Sequence, residues 1–487
     1  MFHQNKKLEF AYFTATIILS SVAYYFSTGI YNCWFLTWFG PIPLFVYALE
    51  RPVLPAIFAS MISYFIGFSS SIVAYSTTII SLSIFIYGAI INAAVFTILL
   101  LLFRYLALRK QHWIWSFIFA SGWTAFEFLT SQYSLGGSFD SIAYTQILNL
   151  PIAQIASITG IWGITFLLFN VPACIALAWH YRKRSRLCLQ TVTLPVIIVI
   201  MTILLGLYRL WLPSDGEHIK IGMASIGLSR QELLSRGEEQ KAELIIGRYL
   251  NCIEQLSHSG AEIILLPEKI ISFDVNKQAR FLQIMAEAAR KNHVTVIAGL
   301  DTRDDPNIFN SAYIFTPSGG IESKYDKQHL LPFSEGNYIS GQELLIRNFE
   351  DNQGKFGIAI CKDMDFENPS RKYGQNEISI LFVPALDFKV DDFLHARIAI
   401  MRGIEGNYAV VRAAQWGLLS VSNNKGEIIN MISSQSETKD VLLLSDIHLD
   451  NGKESVYSRF GNWFGYFSEV FFVLGVLIGI MTIRITK

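Results

Sequence analysis

Residues 52–103 read PVLPAIFASMISYFIGFSSSIVAYSTTIISLSIFIYGAIINAAVFTILLLLF and contain no Asp, Glu, Lys or Arg. A helix crosses a hydrocarbon core of about 30 Å with about 20 apolar residues. The stretch therefore accommodates two consecutive membrane helices, and it is too long and too uniformly apolar for the core of a soluble domain. The rest of the chain agrees with this. Of its 487 residues, 52% are hydrophobic, 14% aromatic and 16% charged, and the mean hydropathy is +0.37. That composition belongs to an integral membrane protein long enough to carry a second, folded domain.

Working outward, further spans are expected near 10–27, 31–48, 54–75, 78–103, 113–130, 152–179 and 190–212, with an isolated eighth near 464–484. The first span leads into more spans and not into a cleavage site, which speaks against a signal peptide. Basic residues fall in every second loop. Lys6 and Lys7 precede the first span, Arg51 follows the second, Arg104, Arg109 and Lys110 follow the fourth, and Arg182, Lys183, Arg184 and Arg186 follow the sixth. Positive-inside sorting puts those loops and both termini in the cytoplasm, and the large segment after the seventh span on the other side. The expected organisation is a membrane domain over 1–213, an extracytoplasmic domain over 214–462 and a last membrane helix over 463–487.

Within 214–462 the period changes. Short β-rich runs at Ile219–Met223, Glu262–Leu266, Val294–Ala298, Ser311–Phe315, Phe356–Ile360, Ser379–Val383, Tyr408–Ala413, Leu418–Val421 and Val441–Leu444 alternate with helical spacing at Gln240–Ser257 and Lys277–Lys291. This predicts an α/β domain with apolar strands sandwiched between layers. The net charge of +0 and the lack of a basic run interleaved with aromatics exclude nucleic acid as a partner. Cys33, Cys174, Cys188, Cys252 and Cys361 show no CxxC or His-rich spacing, so neither a zinc site nor a disulfide framework is indicated.

Three residues in this domain stand at element edges. Cys361 follows the apolar run Phe356–Ile360, Glu268 follows Leu265-Leu266-Pro267, and Lys327 lies in Lys324-Tyr325-Asp326-Lys327. Taken singly each has an ordinary reading: a small core thiol, a solvated carboxylate, a surface charge. Taken together they supply a nucleophile, a base and a cation for an oxyanion, which is the equipment of acyl transfer.

The strings LLPEKI (265–270), KYDKQHLLPFSEG (324–336) and GIAICKD (357–363) resemble the three signature regions of the nitrilase superfamily, whose catalytic triad is Glu-Lys-Cys. The whole chain resembles the apolipoprotein N-acyltransferase family. SLGGSFDSIAYTQ (134–146) and IAQIASITGIWGITFLLFN (152–170) are similar to its membrane-region motifs. RGIEGNYAVVRAAQWG (402–417) and SVYSRFGNWFGY (455–466) are similar to its later ones. The resemblance implies an αββα nitrilase-like sandwich on a multi-pass helical membrane domain, in the bacterial inner membrane. It implies that Glu268 takes the Cys361 proton, that Cys361 attacks a phospholipid acyl ester, and that Lys327 stabilises the oxyanion. The acyl group would then pass from a thioester to the α-amine of a diacylglyceryl-cysteine apolipoprotein. No cofactor and no metal is implied; membrane lipids are. Glu335 matches a second family glutamate that orients Lys327 or helps the acceptor amine lose its proton.

The sequence departs from the family in places. Lys362-Asp363 stands where Tyr-Glu is usual, so Asp363 keeps a carboxylate while Lys362 adds a cation that would lower the Cys361 pKa. The tryptophan common after the first strand is missing from MASIGLSRQELL (223–234), and Leu386-Asp387-Phe388 replaces an Asn-Asp-x-Trp pattern. Phe388, Phe393, Trp463 and Phe464 have aromatic bodies suited to the interface, the last two equally as belt residues. The altered pair at 362–363 also admits an alternative, a membrane-bound nitrilase-type amidase or an acyltransferase for another amine. A transporter or scaffold role is disfavoured by the scarcity of charge within the spans.

Overall fold

The computed structural model describes all residues except 1, 76–81, 215, 230–231, 233–238, 273–274, 305, 333, 350–353, 391, 451 and 486–487. The chain forms two compact units, one of residues 1–134, 140–211 and 460–487, the other of 135–139 and 212–459.

The first unit is helical. Among the described residues six helices are long and apolar enough to cross a membrane, within Lys6–Ser27, Val53–Ser71, Leu82–Arg109, Ile161–His180, Ser185–Trp211 and Trp463–Met481. Eight spans were expected from hydropathy, and the differences have local causes. The 31–48 stretch becomes two short helices, Leu36–Phe39 and Pro41–Glu50. Pro41 lacks the N–H needed to continue the first and starts the second. The 113–130 stretch is a helix, Trp115–Tyr133, but it carries Ser116, Ser121, Thr124 and Glu127 on buried or half-buried positions. The start of the span read at 78 lies outside the described residues. Outward faces are apolar: Ile197, Ile200, Met201 and Leu204 are each about half exposed or more, as lipid contact requires. Inside, Phe45, Phe96, Phe103, Phe119 and Trp123 form an aromatic core, with Phe45 and Phe119 edge to face at 4.6 Å. Glu127 is fully accounted for there, accepting from Trp123 Nε1 at 2.9 Å, Ser141 Oγ at 2.7 Å and Thr165 Oγ1 at 2.9 Å.

The second unit holds two six-stranded mixed sheets. Its strands are β1 Glu217–Ser225, β2 Ile263–Leu265, β3 Thr295–Asp304, β4 Asn307–Phe315, β5 Ile321–Asp326, β6 Ile346–Asn348, β7 Lys355–Ile358, β8 Ile380–Leu386, β9 Ala409–Gln415, β10 Leu418–Ser422, β11 Ile428–Ser433 and β12 Val441–Leu449. One sheet runs β12-β1-β2-β3-β4-β5 and the other β11-β10-β9-β8-β7-β6. Between them lies a core that includes Ile221, Leu265 and Ile314 from the first sheet and Ile358, Phe382 and Val411 from the second. Helices Glu239–His258 and Val275–Asn292 cover the outer face of the first sheet through Ile253, Phe281, Met285 and Val296. Helix Asp392–Gly406 lies along β9 and β10 of the second. The result is the expected αββα sandwich.

Three strands escaped the sequence reading, β5, β6 and β11, and all three are sheet edges. An edge strand faces solvent along one side and loses the apolar alternation that betrays central strands. β11 illustrates this, with four of its six residues exposed and the other two half-buried.

Parallel pairing concentrates side chains at strand ends. β2 runs parallel to β1 and β3, and β7 runs parallel to β8, so their carboxyl ends open on one edge of the sandwich. The segment after β2 passes directly over β3 at Gly299, where Gly299 N donates to Pro267 O at 3.1 Å and Ile270 N donates to Gly299 O at 2.9 Å. A Cβ at Gly299 would lie 2.6 Å from the Glu268 Cα and 2.6 Å from Pro267 O. Gly299→Ala is expected to destabilise the fold by about 1–3 kcal/mol through this backbone clash. Thermal unfolding in detergent checks it; an unchanged midpoint would contradict the packing described.

Candidate active site

Glu268 sits three residues beyond β2, fixed by its own N–H donating to Ala385 O of β8 at 3.2 Å. That bond crosses from one sheet to the other. Lys327 follows β5 directly, with its N–H donating to Asn310 O at 2.9 Å and its carbonyl accepting from Gly341 N at 2.8 Å. Cys361 opens the 3₁₀ turn Cys361–Asp365 after β7 with a φ of 44°. A left-handed φ at a non-glycine residue costs about 1–3 kcal/mol and persists only where the surroundings dictate it. Here Asp363 dictates it. The carboxylate is completely buried and accepts from Ile360 N at 2.9 Å, Tyr325 Oη at 2.8 Å, His329 N at 2.8 Å and Gln328 N at 3.1 Å. Asp363 thus ties the turn bearing Cys361 to the segment bearing Lys327.

The side chains of Glu268 and Lys327 meet. Lys327 Nζ donates to Glu268 Oε1 at 2.8 Å and to Glu335 Oε2 and Oε1 at 3.1 and 3.3 Å. All three residues are buried, with exposures of 3%, 0% and 1%. Burial alone would pull the Lys327 ammonium down, but Glu268, Glu335 and Cys361 outweigh it and hold Lys327 charged, well above its usual range. Burial pushes the other way on Glu335, and there Lys327 and Lys269 win, bringing its carboxyl down to about 2. Asn310 of β4 joins the carboxylates, its Nδ2 donating to Glu268 Oε1 at 2.6 Å and to Glu335 Oε1 at 2.7 Å.

Cys361 is partly exposed, its Sγ 3.8 Å from Leu386 O. Burial of the sulfur and the nearby Glu268 raise the thiol well above its ordinary pKa, with Lys327 opposing, Asp387 adding and Arg412 opposing. The lowering expected from Lys362 is therefore not seen. Its ammonium turns to Asp365, 3.7 Å away, and lies 5.4 Å from the centre of the Phe366 ring. A neutral thiol at rest needs a base at the moment of attack.

Of the further residues of this site, the sequence reading named Asp387 only within a departure from the family pattern and did not single out Arg412, Arg402 or Asn310. Asp387 and Arg412 form a buried two-pronged pair at 2.5 and 2.8 Å beside the thiol. Arg402 donates to Met364 O at 3.0 Å, Asp365 O at 3.3 Å, Ser138 Oγ at 2.7 Å and Glu405 Oε2 at 2.6 Å, clamping the far end of the Cys361 turn. A usable signal existed: Arg412 interrupts the apolar run 409–414 and Asn310 lies within β4, and a polar residue buried in a strand needs partners. Of the aromatic candidates, Phe388 lies 6.2 Å from His395, while Trp463 and Phe464 begin the last long helix.

The chain is similar to two families over separate stretches. Residues 228–452 match the carbon-nitrogen hydrolase family, and residues 20–174 match the apolipoprotein N-acyltransferase N-terminal domain. It is 24% identical over 373 residues to the apolipoprotein N-acyltransferase of Geobacter metallireducens, covering 71% of this chain and 70% of that one. It is 27% identical over 400 residues to that of Haemophilus ducreyi, covering 75% and 76%. Among solved structures, a carbon-nitrogen hydrolase from Helicobacter pylori matches 50% of this chain and 94% of its own, at 18% identity and a TM-score of 0.42.

Because the Glu335 carboxyl is held at about 2 against an ordinary 4.5, its ion pairs contribute stability in full above about pH 4.5 and lose it as pH falls toward about 2. Glu335→Gln is expected to be less stable than wild type at neutral pH and to lose less on acidification through that window. Thermal unfolding midpoints between pH 6 and pH 3, roughly spanning the usual carboxylate range, provide the comparison; parallel curves would contradict the assignment.

Proposed function

We infer the reaction from the family to which this chain belongs, the apolipoprotein N-acyltransferases, whose membrane and carbon-nitrogen hydrolase regions it carries. It transfers an acyl chain from a phospholipid, through a thioester on Cys361, to the α-amine of the diacylglyceryl-cysteine that begins an apolipoprotein. In the first half, Glu268 takes the Cys361 proton as sulfur attacks the acyl ester, and the proton passes on to the departing lysophospholipid oxygen. In the second, the acceptor amine attacks the thioester, the carbon–sulfur bond breaks, and the amine's proton returns by way of Glu268 to the thiolate. An ammonium has three protons, so Lys327 with two carboxylate partners retains one for the oxyanion of each step.

The observation that carries this reading is the buried Glu268–Lys327 contact at 2.8 Å beside a cysteine in a left-handed turn. The apolar helices support a lipid substrate. Drawing an acyl chain out of a bilayer into water costs about 0.8 kcal/mol per CH₂, and an enzyme embedded in the same membrane avoids that cost. The basic residues at Lys6, Lys7, Arg51, Arg104, Arg109, Lys110 and 182–186 support a catalytic unit on the outer side of the bacterial inner membrane, with both termini in the cytoplasm.

Incubating purified protein with phospholipid is expected to leave an acyl group on the Cys361 peptide, detectable by mass spectrometry, and addition of a diacylglyceryl lipopeptide should discharge it. Cys361→Ala should show no adduct, and Glu268→Gln should slow its formation by at least about 10²-fold, the usual worth of a general base. Acylation of the lipopeptide by Cys361→Ala would refute the thioester route. Discharge by small amines with indifference to the lipopeptide would favour the amidase reading.

A further inference from the structure

Lys269, the residue after Glu268, is a second buried cation in this site. Its backbone has a φ of 52°, a conformation that a long side chain adopts only under constraint. The constraint is visible at its tip. Nζ contacts Glu335 Oε1 at 2.5 Å, lies 3.8 Å from Asp301 Oδ1, and sits 4.3 Å from the centre of the Tyr338 ring. With 7% exposure, the ammonium is committed to these partners.

The consequence falls on Glu335. A carboxylate offers about four lone-pair positions, and four donor groups occupy them: Lys269 at 2.5 Å and Asn310 at 2.7 Å on Oε1, Leu331 N at 2.7 Å on Oε2, and Lys327 across both. Glu268 differs. Lys327 and Asn310 both reach its Oε1, and among the described residues no hydrogen bond reaches Oε2. The two glutamates thus have unequal freedom to accept a proton from a substrate.

We propose that Lys269 is a positioning residue that keeps Glu335 a saturated anion bracing Lys327, so that Oε2 of Glu268, and not Glu335, receives the proton in both half-reactions. This rests on the acyl-transfer reading for its second half-reaction, and it narrows the role of Glu335 from orienter or base to orienter alone. The groups facing Glu335 are Lys327 after β5, Lys269 after β2, Asn310 on β4 and the Leu331 N–H on its own loop, with Asp301 of β3 behind Lys269.

Removing the cation should let Glu335 protonate at higher pH and release Lys327. In Lys269→Met, thioester formation and its aminolysis, measured separately, are expected to slow together, and the acid limb of both rates to move up by about one pH unit or more. Lys269→Arg, which keeps the charge, should restore the limb and guards against a folding defect in the methionine variant. Iodoacetamide alkylation of Cys361, followed by peptide mass spectrometry across pH, reads the same network without lipid, and its acid limb should move likewise. An unmoved alkylation profile overturns the proposal whatever the substrate, as does loss confined to aminolysis, which would make Glu335 the base for the amine. A shifted alkylation profile in a protein that forms no thioester would uphold the proposal for thiol activation and refute the acyl-transfer reading instead.

Discussion

Much of the α/β unit is organised by the need to bury the Lys327 ammonium. An isolated charge in a protein interior is prohibitively costly, and it is tolerated only when counter-charges and hydrogen bonds replace the lost water. Lys327 is fully buried with Glu268 and Glu335 against it. These three residues come from the ends of β2 and β5 and from the loop before β6, so the strand ends must converge to within hydrogen-bonding distance. Lys269 balances the second carboxylate, Asn310 donates to both, and Asp363 fixes the Lys327 segment to the Cys361 turn. Removing any one partner leaves another buried charge exposed to the same penalty, which makes the cluster a single unit of stability as well as of chemistry.

What could be read in the sequence followed the strength of the local physical signal. The charge-free run 52–103 and the central strands were legible because burial on both sides imposes long apolar runs. Glu268, Lys327 and Cys361 were legible as edge residues after apolar stretches. β5, β6 and β11 were not, since edge strands are only half constrained, and the break at Gly40-Pro41 inside an apolar run is invisible to hydropathy averaging. The roles of Lys269, Asn310 and the Arg402 clamp depend on partners 25 to 264 residues away in sequence, such as Glu335 for Asn310 and Ser138 for Arg402. No local pattern encodes such pairings. Lys362 shows the converse error: proximity in sequence to Cys361 implied influence on the thiol, whereas its side chain is claimed by Asp365 and Phe366.

The raised thiol of Cys361, with the Glu268 carboxyl close by, suits the nucleophile and base roles proposed for them. A thiolate formed at rest would be open to oxidation and stray electrophiles. In the proposed reaction a neutral thiol would await its base until an ester carbonyl is in place, and Lys327 would then stabilise only the charge that develops. The left-handed turn places Cys361 at the end of β7, where it packs partly buried against the rim of the core between the sheets.

Glu268 and Cys361 follow strands of different sheets, yet they are tied to adjacent residues of β8. Glu268 N donates to Ala385 O, and Cys361 Sγ approaches Leu386 O. Thermal displacement of β8 therefore carries both groups in the same direction. Such motion is common-mode: it shifts the position of the pair while cancelling in their separation, the coordinate on which the proposed proton transfer would depend most steeply.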